Sequence, residues 1–251
     1  MKTDKAQTND STTPQQSVPV VLIRHAKSQW NQENRFTGWA DPPLTAAGIA
    51  EAQRAGTWLR NHDYRFDVAY CSRLQRAITT LDILLQQLGQ EGLPRQQDWR
   101  LNERHYGTLQ GVNKAEAAAQ VGEQQVWRWR RGYEDRATAL LRTDPQHPGN
   151  NPRYADIDPR QLPGVENLAQ TRTRVLALWN ERVVPYLRQG HRVLISAHGN
   201  TLRALLMGLS GMSIKEVEGF EIPTATPILY RFDHQGRPLD WRYLDSGAEA
   251  A

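Results

Sequence analysis

Val18-Pro19-Val20-Val21-Leu22-Ile23-Arg24-His25 is the stretch whose reading decides the fold. A short apolar run with no alternation reads as a strand buried on both faces, here ending in Arg24 and His25. Working outward, Thr45 is suited to cap a helix to about His62, with Ile49, Ala52 and Leu59 on one face. Asp67 to Cys71 reads as a second strand and Leu74 to Leu88 as a second helix. Lys114 to Val121 and Gln124 to Arg131 read as two short helices, and Asn167 to Leu187 as a long amphipathic one. Arg192 to Ala197 is a third strand, followed by a helix over Thr201 to Leu209. Pro227 to Phe232 and Leu239 to Tyr243 are the final strands. This alternation predicts an α/β fold: a three-layer α/β/α sandwich, its mainly parallel central sheet flanked by helices.

The chain has 251 residues, of which 39% are hydrophobic, enough for a core without disulfide staples. Its single cysteine, Cys71, excludes a disulfide within the chain and argues against a cysteine-based metal site. The formal net charge is +4, with basic and acidic residues interspersed. No run resembles a nucleic-acid-binding arm, and no apolar stretch is long enough to cross a membrane. Met1 to Gln16 is polar and lacks the apolar stretch of a secretory signal, so a cytoplasmic location is expected. The expected organisation is a disordered extension over 1–17, one domain over 18–247 and a short tail over 248–251. Tyr133 to Gly164 is too long for a simple connection, and an insert over about 112–165 is expected to act as an active-site lid.

Ligands of such sheets bind beyond the carboxyl ends of the strands. Three strand ends carry notable residues: Arg24-His25, the stretch from Ser72 to Arg76, and His198-Gly199-Asn200. An imidazole held unprotonated at one nitrogen can attack phosphorus. Arginines such as Arg24 and Arg76 suit the equatorial oxygens of the transferring group. Glu103 adds a carboxyl able to exchange a proton with the leaving oxygen. Each residue is ordinary alone; together they suffice for a covalent phosphohistidine mechanism that needs no metal. Neither a His-Glu-x-x-His motif nor a Gly-x-x-x-x-Gly-Lys-Ser/Thr loop is present.

Leu22-Ile23-Arg24-His25-Ala26-Lys27-Ser28-Gln29-Trp30-Asn31 resembles the nucleophile loop of the histidine phosphatase superfamily. Glu33-Asn34-Arg35-Phe36-Thr37-Gly38-Trp39 resembles the 2,3-bisphosphoglycerate-dependent phosphoglycerate mutases, as does Leu101-Asn102-Glu103-Arg104-His105-Tyr106-Gly107-Thr108-Leu109-Gln110-Gly111. Asn113-Lys114, Trp129-Arg130-Arg131-Gly132 and Ala197-His198-Gly199-Asn200 complete a likeness running from about Val20 to Asp245. The resemblance implies that His25 carries a phosphoryl group primed by 2,3-bisphosphoglycerate. That group would interconvert 3-phosphoglycerate and 2-phosphoglycerate in glycolysis and gluconeogenesis. Arg24, Arg76 and His198 would hold the transferring group, and Glu103 would be general acid and base. Ser28, Asn31, Thr37, Gly38, Tyr106, Lys114, Arg130, Arg131, Gly199 and Asn200 would bind the substrate. A homodimer, small phosphoglycerates as the ligands, and no metal, nucleic acid or membrane complete the expectation.

The family usually has glycine after the nucleophile, whereas Ala26 and Lys27 follow His25. The chain also stops soon after Tyr243-Leu244-Asp245. Both features keep open an alternative: a phosphatase of the same superfamily using the same histidine.

Overall fold

The structure is a computed structural model describing residues 17–244. The expected extension, Ser17 apart, and the expected tail lie outside the described residues. Strand β1 (Val18–Arg24) runs through the middle of a six-stranded sheet. It pairs in parallel with β4 (Val193–Ala197) and antiparallel with β5 (Pro227–Phe232). Beyond β4 lie β2 (Val68–Cys71) and then β3 (Arg95–Gln97), both parallel. Beyond β5 lies β6 (Pro238–Tyr243), antiparallel. The sheet is therefore mixed. β5 and β6 are joined by a tight turn in which Asp233 Oδ1 accepts from the backbone N–H groups of Gln235 and Arg237, and a short turn permits only antiparallel pairing.

The uniform apolarity of β1 is explained by helices on both faces. Val20 and Leu22 pack with Val175 and Leu178 of α6 (Leu168–Leu178) and Leu202 and Leu205 of α8 (Gly199–Ser210). Val21 and Ile23 pack with Ala52 and Leu59 of α2 (Ala46–Asn61) and Leu81 and Leu84 of α3 (Gln75–Leu88). Thr45 caps α2 as expected, its hydroxyl accepting from Gly48 N at 3.0 Å. Gly48 permits a close approach, because a Cβ there would lie 2.1 Å from the Lys27 carbonyl oxygen. Smaller helices are α1 (Gln29–Gln32), α4 (Lys114–Val121), α5 (Glu123–Arg131) and α9 (Ile214–Gly219).

The long helix expected over Asn167–Leu187 is continuous but not uniform. Between α6 and α7 (Val184–Arg188), Trp179–Val183 forms a π-helical turn. Pro185 has no N–H to return to residue 181, and the widened turn absorbs that defect. The stretch from Tyr133 to Gly164 forms neither α-helix nor strand; it makes three short 3₁₀ turns, at Pro148–Asn150, Pro152–Tyr154 and Pro159–Gln161.

Because β1, β2 and β4 are parallel, their carboxyl ends bring His25, Ser72 and His198 to one edge. Thr80 of α3 fixes the turn after β1 there. Its buried hydroxyl accepts from Ala26 N at 3.0 Å and donates to the Arg76 carbonyl at 2.7 Å. Thr80→Val leaves the Ala26 N–H unpaired in a dry site, an expected loss of about 1–3 kcal/mol. The denaturant midpoint at constant m reads this loss, and an unchanged midpoint would contradict it.

Candidate active site

His25 is 3% exposed. Its backbone N–H donates to the Ala197 carbonyl at 2.9 Å, extending the β1–β4 pairing. Its Nδ1 lies 2.8 Å from the Ala26 carbonyl oxygen. A carbonyl only accepts, so Nδ1 carries the hydrogen and the neutral ring keeps its lone pair on Nε2. Arg76 Nε donates to that Nε2 at 3.3 Å. Burial, and then the Arg76 and Arg24 charges, push the His25 pKa well below the usual imidazole value. The result is a neutral imidazole with its nucleophilic nitrogen among cations, the state that attack on phosphorus requires.

The cations beside it are held by backbone carbonyls rather than carboxylates. Arg76 donates from Nη1 to Ala40 O and from Nη2 to Gly38 O, each at 2.8 Å. Gly38 makes this loop possible: its φ is +52°, and a Cβ would sit 2.4 Å from the Gln110 side-chain oxygen. That oxygen already accepts from Trp39 N. Arg24 donates from Nη1 to Ile222 O at 2.7 Å, while its buried Nε has no partner. His198 is fully buried beside His25, their ring centroids 5.0 Å apart. Its Nε2 is 2.7 Å from Ser72 Oγ, and its Nδ1 is unpartnered. Ser72, singled out only as part of a strand end, thus orients the second histidine.

Glu103 sits at the amino end of α8. Its Oε1 accepts from Arg104 N at 2.8 Å and from Asn200 N at 3.1 Å. Its backbone carbonyl accepts from Trp39 Nε1 at 2.6 Å and from Arg174 Nη2 at 3.0 Å. Arg174 is in turn fixed by a buried ion pair with Glu166 at 2.6 Å.

Arg24, His25, Arg76, Glu103 and Asn200 line a cavity of about 140 Å³. That is well below the roughly 300 Å³ where drug-sized pockets begin, so a small ligand fits. Its wall also carries Arg35, Lys114, Arg130, Arg131 and Arg203. Arg35 donates to the Gly111 carbonyl at 2.8 Å and Arg131 to the Phe220 carbonyl at 3.2 Å. Glu221 also lines the cavity and pairs with Arg131.

A family model for the histidine phosphatase superfamily, branch 1, matches residues 20–144 and 142–243. The chain belongs to the histidine phosphatase superfamily. Superfamily membership makes it a phosphoryl-transfer enzyme. Among similar solved structures is the alpha-ribazole phosphatase of Shigella flexneri, 25% identical, with a TM-score of 0.66 over 93% of this chain and 98% of that one. A phosphoglycerate mutase from Bacillus anthracis is 22% identical, with a TM-score of 0.66 over 92% and 94%. A mycobacterial glucosyl-3-phosphoglycerate phosphatase is 23% identical, with a TM-score of 0.65 over 91% and 97%. At these identities what is shared is the superfamily's fold.

The structure brings most of the expected site residues onto one cavity wall. Arg24, His25, Asn31, Thr37, Gly38 and Arg76 line it from the first half of the chain. Glu103, Tyr106, Lys114, Arg130, Arg131, Gly199 and Asn200 line it from the rest. Ser28 does not: its fully buried hydroxyl donates to Asn31 Oδ1 at 2.9 Å and caps α1, so it orients Asn31 instead. His198 is likewise outside the lining, buried beside His25. The segment expected as a lid divides in two. Within 112–165 only Lys114, Arg130 and Arg131 line the cavity. Tyr133–Gly164 instead packs Tyr154 and Leu162 against Trp39 and Trp99. Arg35, Arg203 and Glu221 were not anticipated as lining residues; for Arg203 the signal was a lone charge within the apolar helix Leu202–Leu206. Among the described residues no cluster of three or more His, Cys, Asp or Glu is placed to hold a metal ion, and no helix is long and apolar enough to cross a membrane.

His25, His198 and His105 all have lowered pKa values, each chiefly through burial, with His105 down to about 3. Below the ordinary value near 6.5 the unfolded chain binds protons at these rings and the native protein does not. Stability is therefore full above that pH and falls as pH drops, by about 1.4 kcal/mol per pH unit for each ring. Tm should decline steadily from pH 7 to 5; a Tm that holds or rises on acidification would count against these assignments.

Proposed function

We propose that the protein transfers a phosphoryl group through His25 from a small phosphate ester bearing a second anionic group, the phosphoglycerate class. The observation that carries this reading is a small cavity with more cations than one phosphate needs. Arg24 and Arg76 lie beside the nucleophile, and Lys114, Arg130 and Arg131 also line the cavity. His25 Nε2 attacks phosphorus while the bond to the ester oxygen breaks. Glu103 gives a proton to the departing oxygen and then takes one from the next acceptor.

Two acceptors have support of different kinds. Water, which makes the protein a phosphatase, is favoured by the comparisons: two of the three similar structures described above are named phosphatases and one a mutase. A hydroxyl of the substrate itself, which makes it a mutase, is favoured by the further cations that line the cavity, Lys114, Arg130 and Arg131, because they suit a second phosphate. For that reading 2,3-bisphosphoglycerate fits the residues present: Arg24 and Arg76 suit one phosphate, and Lys114, Arg130 and Arg131 the other. When bound it supplies the phosphoryl group that primes His25.

Incubation with 3-phosphoglycerate, with and without 2,3-bisphosphoglycerate, separates the two if 2-phosphoglycerate and inorganic phosphate are both followed. Bisphosphate-stimulated 2-phosphoglycerate marks the mutase; phosphate release outpacing isomerisation marks the phosphatase. Either activity should vanish in His25→Ala. Absence of both products and of any phosphohistidine would sink the proposal.

Lys114 gives a pH signature. Burial first, then Arg130 and Arg24, bring its pKa down to about 8. Its charged form attracts the anion, so KM for 3-phosphoglycerate should rise as pH climbs through about 8. Lys114→Arg should move that limb to higher pH; a limb unmoved in the variant would assign it elsewhere.

A further inference from the structure

Arg203 lies on α8, one turn after Asn200, and is 2% exposed. It lines the cavity and forms no salt bridge among the described residues. Its Nη2 donates to Asn200 Oδ1 at 2.7 Å and to the Arg130 carbonyl at 3.5 Å, and its buried Nη1 has no partner. Burial, then the neighbouring charges of Arg104 and Arg131, lower its pKa to about 9. An arginine kept this dry among like charges, with a donor unused, is costly to the empty protein.

Its contacts also fix a hydrogen-bond sense. Arginine only donates, so the oxygen of the Asn200 amide must face Arg203. The Asn200 nitrogen then donates to the Tyr106 hydroxyl at 3.1 Å. Arg104 Nη2 donates to the same hydroxyl at 3.3 Å. A phenol oxygen that accepts twice has only its own O–H left to give, and Tyr106 lines the cavity. Without Arg203 the Asn200 amide is free to turn over and take that hydrogen for itself.

We propose that Arg203 is a specificity-determining residue for the second anionic group of the ester. It supplies charge on the cavity wall with no carboxylate among the described residues paired to it, and through Asn200 it makes Tyr106 a donor to the ligand. The inference rests on the phosphoryl-transfer reading above.

The test compares two probes by calorimetry in the wild type, Arg203→Gln and Arg203→Lys. Orthovanadate carries only the group that meets His25, whereas 3-phosphoglycerate also carries a carboxylate. Arg203→Gln should weaken 3-phosphoglycerate by about tenfold or more, the effect of losing a charged hydrogen-bonding partner, and leave orthovanadate within about twofold. Turnover should show the same split, with KM raised more than kcat is lowered. Arg203→Lys should recover part of the loss, since it restores charge but not the planar fork. Equal weakening of both probes, or of neither, overturns the inference. If Arg203→Gln does not fold, Arg203→Lys decides alone: a loss confined to 3-phosphoglycerate supports it, and a loss shared by both probes overturns it. Wild-type protein that forms no phosphohistidine fails the underlying reading instead, whatever the variants do.

Discussion

The constraint on which the rest of the structure depends is the crowding of desolvated cations around one small cavity. Arg24, Arg76, Arg203, Lys114 and Arg131 all have lowered pKa values, burial being the first cause in each. Their mutual repulsion must be supported by the fold until an anion arrives. The support is mostly neutral: carbonyls of Gly38, Ala40, Gly111, Phe220 and Ile222 accept the guanidinium hydrogens. Neutral acceptors fix the geometry without cancelling the charge. Had carboxylates been used, the ligand's electrostatic attraction would have been satisfied in advance. Among these cations the exception is Arg131, which also pairs with the carboxylate of Glu221.

Those carbonyls come from loops far apart in sequence, which explains why the sheet must be rigid. β1 is locked between β4 and β5, and Thr80 ties its exit to α3. His25 and His198 leave adjacent parallel strands, so their separation follows from strand spacing and needs no further device. Glu103 has no strand to hold it. Trp39 and the Arg174–Glu166 pair grip its backbone instead, and the stretch from Tyr133 to Gly164 packs Tyr154 behind Trp39. That stretch therefore acts as a buttress beneath the site.

The sheet's interior was legible in the sequence because β1, β2 and β4 are short apolar runs, and α2 because Thr45 precedes an amphipathic pattern. β3 was not: Arg95-Gln96-Gln97 is a polar, largely exposed edge strand whose only signal is pairing with β2. α9 was missed as well, although Ser213 and Glu216 form a capping box at its start. At the site, the chemically obvious side chains were readable from their positions at strand ends. Ser72 and Ser28 were not readable in their actual roles, because each works by orienting a neighbour, which depends on contacts across the fold. The packing of Tyr133–Gly164 was hidden for a related reason. Length alone marked Tyr133–Gly164 as special but carried no information about which surface it covers.

Lys114, Arg130 and Arg131 ride on α4 and α5, whose apolar faces pack into a small cluster with Phe36 and Tyr106, separate from the two clusters that flank the sheet. The nucleophile and these three cations thus belong to different packing units. Sequence drift within α4 and α5 perturbs little of the sheet, and the imidazole keeps its tautomer whatever happens there. Over evolutionary time such a division lets a lineage exchange one phosphate ester for another while the phosphohistidine chemistry is inherited intact.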